Sequence, residues 1–313
     1  SFDYPLPPLP YEPLIKDLAT KMEQVGVHPF PLPMGVKLPQ DCNPNASPVV
    51  LECFDGFPDL TDSKADAQTV ALNLALAMSN VEMITHAYVE KLITDESGSR
   101  VIAAKTIVDG NELYLSGDTF IIACGAVNSA ALFLRSASYA HPNGLANSSG
   151  QVGRNLMLHH NGCLVAFTKK WNDCVFQKSL GIADYYHGAS DSGFPLGEIQ
   201  LMGRNDPDTI LWMAEDIYPD KTYEELKGMS IDFWLTAEDL PSPENRVTLR
   251  EDGSIKIHYT RNNYTAYEKL KEKLKALFVQ LGEIDPGYKD VQWKGYDLDV
   301  SGMSHQNGTL RFG

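Results

Sequence analysis

Cysteine is scarce in this chain and badly arranged for cross-linking. The five cysteines (Cys42, Cys53, Cys124, Cys163 and Cys174) are odd in number, and no two have C-x-x-C spacing. That pattern argues against a disulfide framework and against a zinc site, and it fits a reducing compartment, so a cytoplasmic location is expected. The opening residues, SFDYPLPPLPYEP, lack the basic start and apolar run of a signal peptide. No run of about 18 apolar residues occurs, so no transmembrane helix is expected. There is no G-x-G-x-x-G, no Walker A sequence and no H-E-x-x-H. Gly302-Met303-Ser304-His305-Gln306 approaches a nucleophile elbow but lacks its closing glycine. His159 and His160 are adjacent, so they project in different directions and make a poor metal pair; no metal is expected. Positive charge is also short, with 26 Lys and Arg against 41 Asp and Glu and a net charge of −15. Such a field repels phosphate backbones and anionic lipid, so neither nucleic acid nor membrane is an expected partner. A neutral or cationic small molecule suits it better.

With 43% hydrophobic and 21% charged residues over 313 positions, the composition is that of a globular protein of one large or two ordinary domains. Leu14, Ile15, Leu18, Ala19, Met22 and Val25 recur at helical spacing, and Gly26 stops that helix. Residues 27–36 read as extended and 38–63 as loop, apart from a short apolar run at Val49 to Leu51. An alanine- and leucine-rich stretch, 65–79, predicts a helix. Three β-branched stretches (81–93, 101–108 and 112–115), separated by Asp, Asn and Gly turns, predict an antiparallel meander. A buried strand, 119–124, is expected to break at Gly125-Ala126 into an apolar helix running to Ser136. Beyond Gly150, residues 161–167, 196–202, 229–236 and 245–259 read as sheet strands separated by polar loops. The spacing of Tyr267, Leu270, Leu274, Leu277, Phe278 and Leu281 predicts one strongly amphipathic helix over 265–281. A domain boundary is placed near residue 160. The proline-rich start and the ending at Thr309-Leu310-Arg311-Phe312-Gly313 lead to the expectation of a truncated chain.

Two corners carry candidate chemistry. A strand breaking at Cys124-Gly125-Ala126 into a helix N-terminus would present free N–H groups and a positive dipole end, an anion- or nucleotide-binding arrangement. The same corner also serves simply for tight packing. In Ser304-His305-Gln306-Asn307-Gly308-Thr309, His305 can take a proton near neutral pH, and Gly308 allows backbone to approach a planar ligand. A lone histidine in a polar loop is also a common surface residue. Tyr185, Tyr186, Phe233 and Trp234 fit either a sugar pocket or ordinary core.

Taken in order, these segments resemble the glucose–methanol–choline (GMC) oxidoreductases. VEMITHAYVEKLI (81–93) is similar to the family's strand pair "N-V-x-x-x-x-x-A-x-V", and TFIIACGAVNSAALFLRS (119–136) to its strand, Gly-Ala and leucine-rich helix. GQVGRNLMLHH (150–160) resembles "V-G-x-N-L-x-D-H", with Leu158 where an acid is usual, and GMSHQNGTLRFG (302–313) resembles "H-x-x-G-T-x-R-M-G". EDLPSPENRVTL (238–249) looks like a substrate-domain strand. The resemblance implies FAD as cofactor, with Val89, Cys124, Gly125, Ala126, Asn307, Gly308 and Thr309 meeting it. It implies His305 as the catalytic base, as in the pyranose-oxidase branch, and a sugar, glycoside or similar alcohol oxidised at CH–OH by hydride transfer to flavin. The implied fold class is α/β plus α+β: an incomplete, Rossmann-like FAD-binding domain (1–160), an antiparallel-sheet substrate-binding domain (161–300) and a return segment (301–313). His305 is expected at the domain junction, on the side of the sheet bearing Trp234 and Thr236 as substrate contacts. The family's glycine-rich βαβ unit has no counterpart, so the expected partners include a missing chain segment or a homo-oligomer. The same gap keeps a second reading open, a non-catalytic fold remnant that binds a partner without flavin.

Overall fold

The computed structural model describes residues 8–36, 64–188 and 192–311. The chain begins with helix α1 (Pro13–Gln24) and the short strand β1 (Pro29–Pro31). A single π-helical turn (Gln68–Leu72) runs into α2 (Asn73–Leu76), and then come β2 (Ala87–Thr94), β3 (Val101–Val108) and β4 (Asn111–Ser116). Helix α3 (Gly125–Arg135) precedes β5 (His159–Phe167), β6 (Leu180–Ile182) and β7 (Glu198–Leu201). Helices α4 (Pro207–Ala214) and α5 (Tyr223–Met229) lead to β8 (Ser230–Glu238), β9 (Arg246–Leu249) and β10 (Ile255–His258). Helix α6 (Tyr264–Ile284) and β11 (Gln292–Asp297) complete the order. No helix among the described residues is long and apolar enough to cross a membrane.

The chain divides into two compact units. The first comprises the described residues up to 78, 160–238 and 263–299; the second comprises 79–159, 239–262 and 300–311.

In the first unit a six-stranded sheet runs in the order β1-β6-β7-β8-β5-β11. Period-2 alternation gives β7 and β8 two different faces. Ile199, Leu201, Ile231, Phe233, Leu235 and Ala237 point to one side, into a core shared with α1 and α6. Every apolar position expected on the amphipathic helix is buried there, from Tyr267 through Leu281. Truncating one of them, such as Leu274, to alanine would cost about 2–5 kcal/mol. On the other face α4 and α5 cover one end of the sheet through Ile210, Met213 and Leu226, against Val165, Phe167 and Met202. Both helices start on built caps: the Asp206 side chain accepts from Thr209 N–H, and Thr222 with Glu225 forms a capping box.

In the second unit the antiparallel meander β2-β3-β4 packs on α3 through Leu92, Ala104, Leu132 and Leu145. The hairpin β9-β10 packs through Val247 against Ala130, Ala131 and Leu156.

Several expectations need correction. Residues 119–123 join no ladder among the described residues; Phe120 and Ile122 pack on the meander core, while Ile121 is 86% exposed. An apolar run becomes a buried strand only where neighbours pair with its backbone and cover both faces, and here they do not. The strand expected from Val81 starts at Ala87, because His86 turns the chain at a φ of 51°. The helix expected over 65–79 forms only between Gln68 and Leu76, with no buried residue to anchor it. Helices α4 and α5 and strands β6 and β11 stand where polar loops were expected or nothing was placed. Residues 8–36 were expected with the cofactor domain, but α1 buries Leu14, Ile15, Leu18, Ala19 and Met22 in the core of the sheet unit. The hairpin β9-β10, expected in the substrate domain, belongs to the second unit. The run Val49 to Leu51, Cys42 and Cys53 lie outside the described residues.

Candidate functional site

The C-terminal tail is stapled to the second unit by backbone chemistry. Met157 and Asn307 exchange two N–H···O bonds of 3.0 Å, and Gly153 N–H donates to the Thr309 carbonyl at 2.8 Å. The buried Thr309 hydroxyl donates to the Ala126 carbonyl in the first turn of α3 at 2.7 Å. Gly308 makes this approach possible. Its φ is +89°, and a Cβ there would sit 2.0 Å from the Asn155 carbonyl oxygen. The tail therefore joins the Gly-Ala corner of α3 and the 150–159 segment into one constellation.

At its head stands a pair of histidines. His305 Nδ1 and His159 Nε2 are 2.7 Å apart, with the ring centroids at 4.9 Å. One nitrogen must carry the hydrogen and the other a lone pair, so a second proton added at this contact breaks the bond. His305 sits at a φ of 66°, an uncommon place for a side chain with a Cβ. Its neighbours hold it there: Gln306 Nε2 donates to the Met303 carbonyl at 2.6 Å, and Asn307 Nδ2 donates to the His305 carbonyl at 3.0 Å.

At the other corner, α3 begins at Cys124 with no side-chain cap and no acid in its first turn. The Cys124 thiol is free and exposed. Gly125 has a φ of +74°, and no atom lies within 4 Å of where its Cβ would be. An uncapped helix start with open space in front of it is chemically suited to the anionic or polar edge of a dinucleotide. Among the described residues, Gly125, Ala126, Asn307 and Gly308 would hold such a group.

The structure thus bonds Thr309 directly to Ala126 and ties Asn307 to Met157, with Gly308 between them in the chain; Cys124 and Gly125 adjoin Ala126, and His305 lies two residues before Asn307. Val89 is half-buried against the meander core, a packing position. Trp234 and Thr236 belong to the first unit, on the sheet face opposite Phe233 and Leu235. Trp234 leans on the α4–α5 core, and the Thr236 hydroxyl donates to Asn161 Oδ1 at 2.9 Å. Sequence reasoning set aside His159 as half of a poor metal pair, and nothing in its spacing to His305 marked the contact. It also passed over Glu198, which the register places opposite Thr236. Burial alone pushes the Glu198 carboxyl above the usual carboxylate range. No group of three His, Cys, Asp or Glu among the described residues is arranged to hold a metal ion.

Residues 33–161 match the family model described as GMC oxidoreductase. Over that stretch the chain is similar to the GMC oxidoreductases. The 6'''-hydroxyparomomycin C oxidase of Streptomyces lividus is 30% identical over 96% of this chain and 54% of that protein. The 2-methyl-1,2-propanediol dehydrogenase of Mycolicibacterium austroafricanum is 26% identical over 60% of this chain and 36% of its own length. Among solved structures, pyridoxine 4-oxidase from Mesorbium loti superposes with a TM-score of 0.53 at 15% identity, covering 94% of this chain and 55% of that one. This chain therefore spans about half, or less, of the length of the relatives it matches, and the family model's match falls on residues 33–161.

Proposed function

We propose that this chain is the substrate-side portion of an FAD-dependent oxidoreductase acting on a CH–OH group of a sugar, glycoside or related alcohol. The observation that carries the reading is the His159–His305 contact on a tail stapled to the Gly-Ala corner. Bound FAD would supply the hydride acceptor that no side chain provides. In this reading the Nε2 face of His305 takes the hydroxyl proton of the alcohol. His159 fixes the ring and its tautomer by sharing one hydrogen across the 2.7 Å contact. Asn307, Gly308 and Thr309 would line one side of the bound cofactor, and Gly125 would leave room for its polar edge. The motif around His305 supports the pyranose-oxidase branch, while the relatives compared above act on other alcohols, so the branch rests on that motif alone. A reducing, cytoplasmic setting is part of this reading and rests on the cysteine pattern of the sequence.

The test uses the flavin-loaded enzyme that contains this segment. His305→Ala is expected to depress turnover by about a hundredfold or more while the flavin absorbance stays with the protein. Turnover within a few-fold of the parent would remove His305 from the mechanism. A protein that never takes up flavin would instead favour the non-catalytic reading.

A further inference from the structure

Strand β9 carries an unusual row of positive charge for so acidic a chain. Arg246 pairs with His258 on β10 and bridges to Arg154 on its other side. Paired positions send their side chains to the same face, so Arg154, Arg246 and His258 stand in one row. Two residues along β9, Thr248 faces the same way and pairs with Lys256. Like charges opposite each other across strands are destabilising. The row is poorly compensated. Glu244 lies 3.6 Å from Arg154 Nη1 and 3.7 Å from Arg246 Nη2, beyond hydrogen-bonding distance, with its side chain 77% exposed. Exposed pairs of this kind are worth about 0–1 kcal/mol. Arg154 directs Nε and Nη1 to the carbonyls of Gly150 and Pro243, at 3.0 and 3.3 Å. Arg246 Nε is buried and makes no hydrogen bond. A buried guanidinium N–H without an acceptor is costly, and an anion would satisfy it.

Both arginines line a cavity of about 370 Å³ whose other polar walls are Asn143, Asn147 and Thr248, with no acid among its lining residues. At a share of about 30 Å³ per water, the space exceeds what a bare oxyanion needs. Leu134 and Ala137 put this cavity at the C-terminal end of α3. The cofactor corner is at the other end of the same 11-residue helix, about 15 Å away at 1.5 Å per residue.

We propose that the Arg154–Arg246 cavity is an oxyanion site that takes the phosphate or sulfate group of a small organic ester, separate from the cofactor corner. Arg246 supplies the buried Nε–H and Arg154 its remaining Nη2, while Glu244 is the weak internal competitor that the ligand displaces.

The experiment titrates the whole chain by calorimetry with inorganic phosphate and with glycerol phosphate, against sodium chloride at matched ionic strength. One saturable site is expected for both, with glycerol phosphate at least as tight as phosphate. Arg246→Gln should weaken binding about tenfold or more. Glu244→Gln keeps both arginines and should tighten binding about threefold, which gives a readout even where the arginine variant folds poorly. Heats no larger than those of chloride, unchanged affinity in Arg246→Gln, or no tightening in Glu244→Gln would each overturn the proposal. So would competition by FAD for the same site, which would make it part of the cofactor cradle.

Discussion

Replacing Gly308 by alanine tests whether the tail is held as described. Two costs add at this position. An alanine at a φ of +89° pays the left-handed backbone penalty, about 1 kcal/mol. Its Cβ would also sit 2.0 Å from the Asn155 carbonyl, a backbone atom that cannot swing aside as a side-chain tip can. Relieving that overlap requires the tail to move away from 153–157. The movement strains the two Met157–Asn307 bonds, the Gly153–Thr309 bond and the Thr309–Ala126 bond together. Overpacking of this kind costs about 1–3 kcal/mol, so the sum is about 2–4 kcal/mol. Gly253 provides the control, with a φ of +78° and no atom within 4 Å of the added Cβ. Gly253→Ala should therefore show only the backbone penalty. Urea unfolding of the whole chain reads the difference, and hydrogen exchange at Gly153, Met157 and Asn307 reads local release of the tail. If Gly308→Ala matched Gly253→Ala within about 0.5 kcal/mol, with those amides still protected, the stapled tail would be refuted.

Three further outcomes follow from particular residues. The chain by itself is expected to bind FAD no more tightly than micromolar, since Gly125-Ala126 is the one glycine-opened helix corner among the described residues of its cofactor region and the sequence carries no G-x-G-x-x-G; fluorescence titration showing sub-micromolar affinity would contradict this. Asp232 is fully buried and accepts from Gln177 Nε2 at 3.0 Å and Ser230 Oγ at 3.2 Å, besides Asn205 Nδ2. Asp232→Ala strands those donors and should cost about 2–5 kcal/mol in a denaturation curve, against about 0.5 kcal/mol for an exposed control such as Asp118→Ala. Glu198 titrates above its unfolded value because burial disfavours its charge. The folded state thus binds its proton more tightly, so this group's contribution is fully present below the unfolded carboxylate range and is lost as pH rises through the folded pKa. Glu198→Gln should flatten that fall in stability between weakly acidic and neutral pH; an unchanged pH profile would show the carboxyl to be freely hydrated.

Local pattern alone determined a good part of this protein. The spacing of Leu14 to Met22 and of Tyr267 to Leu281 marked both long helices, because a one-sided apolar stripe has a single period that buries it. The β-branched runs and the Asp-Gly-Asn turn marked the meander, and the glycine-threonine pattern after His305 marked the tail that carries the site. Tertiary structure decided the rest, for the reason that its causes are remote in sequence. Whether Phe120-Ile121-Ile122 is a strand depends on neighbours that pair with it, and the run itself holds no record of them. Strands β6 and β11 are too short or too polar to announce themselves, and they exist because β7 and β5 offer open backbone groups. The contact of His159 with His305 spans 146 residues and is made by a two-bond bridge and one glycine, so neither histidine's surroundings in sequence could reveal it. The same holds for Arg154 and Arg246, ordinary surface arginines until one strand register sets them side by side.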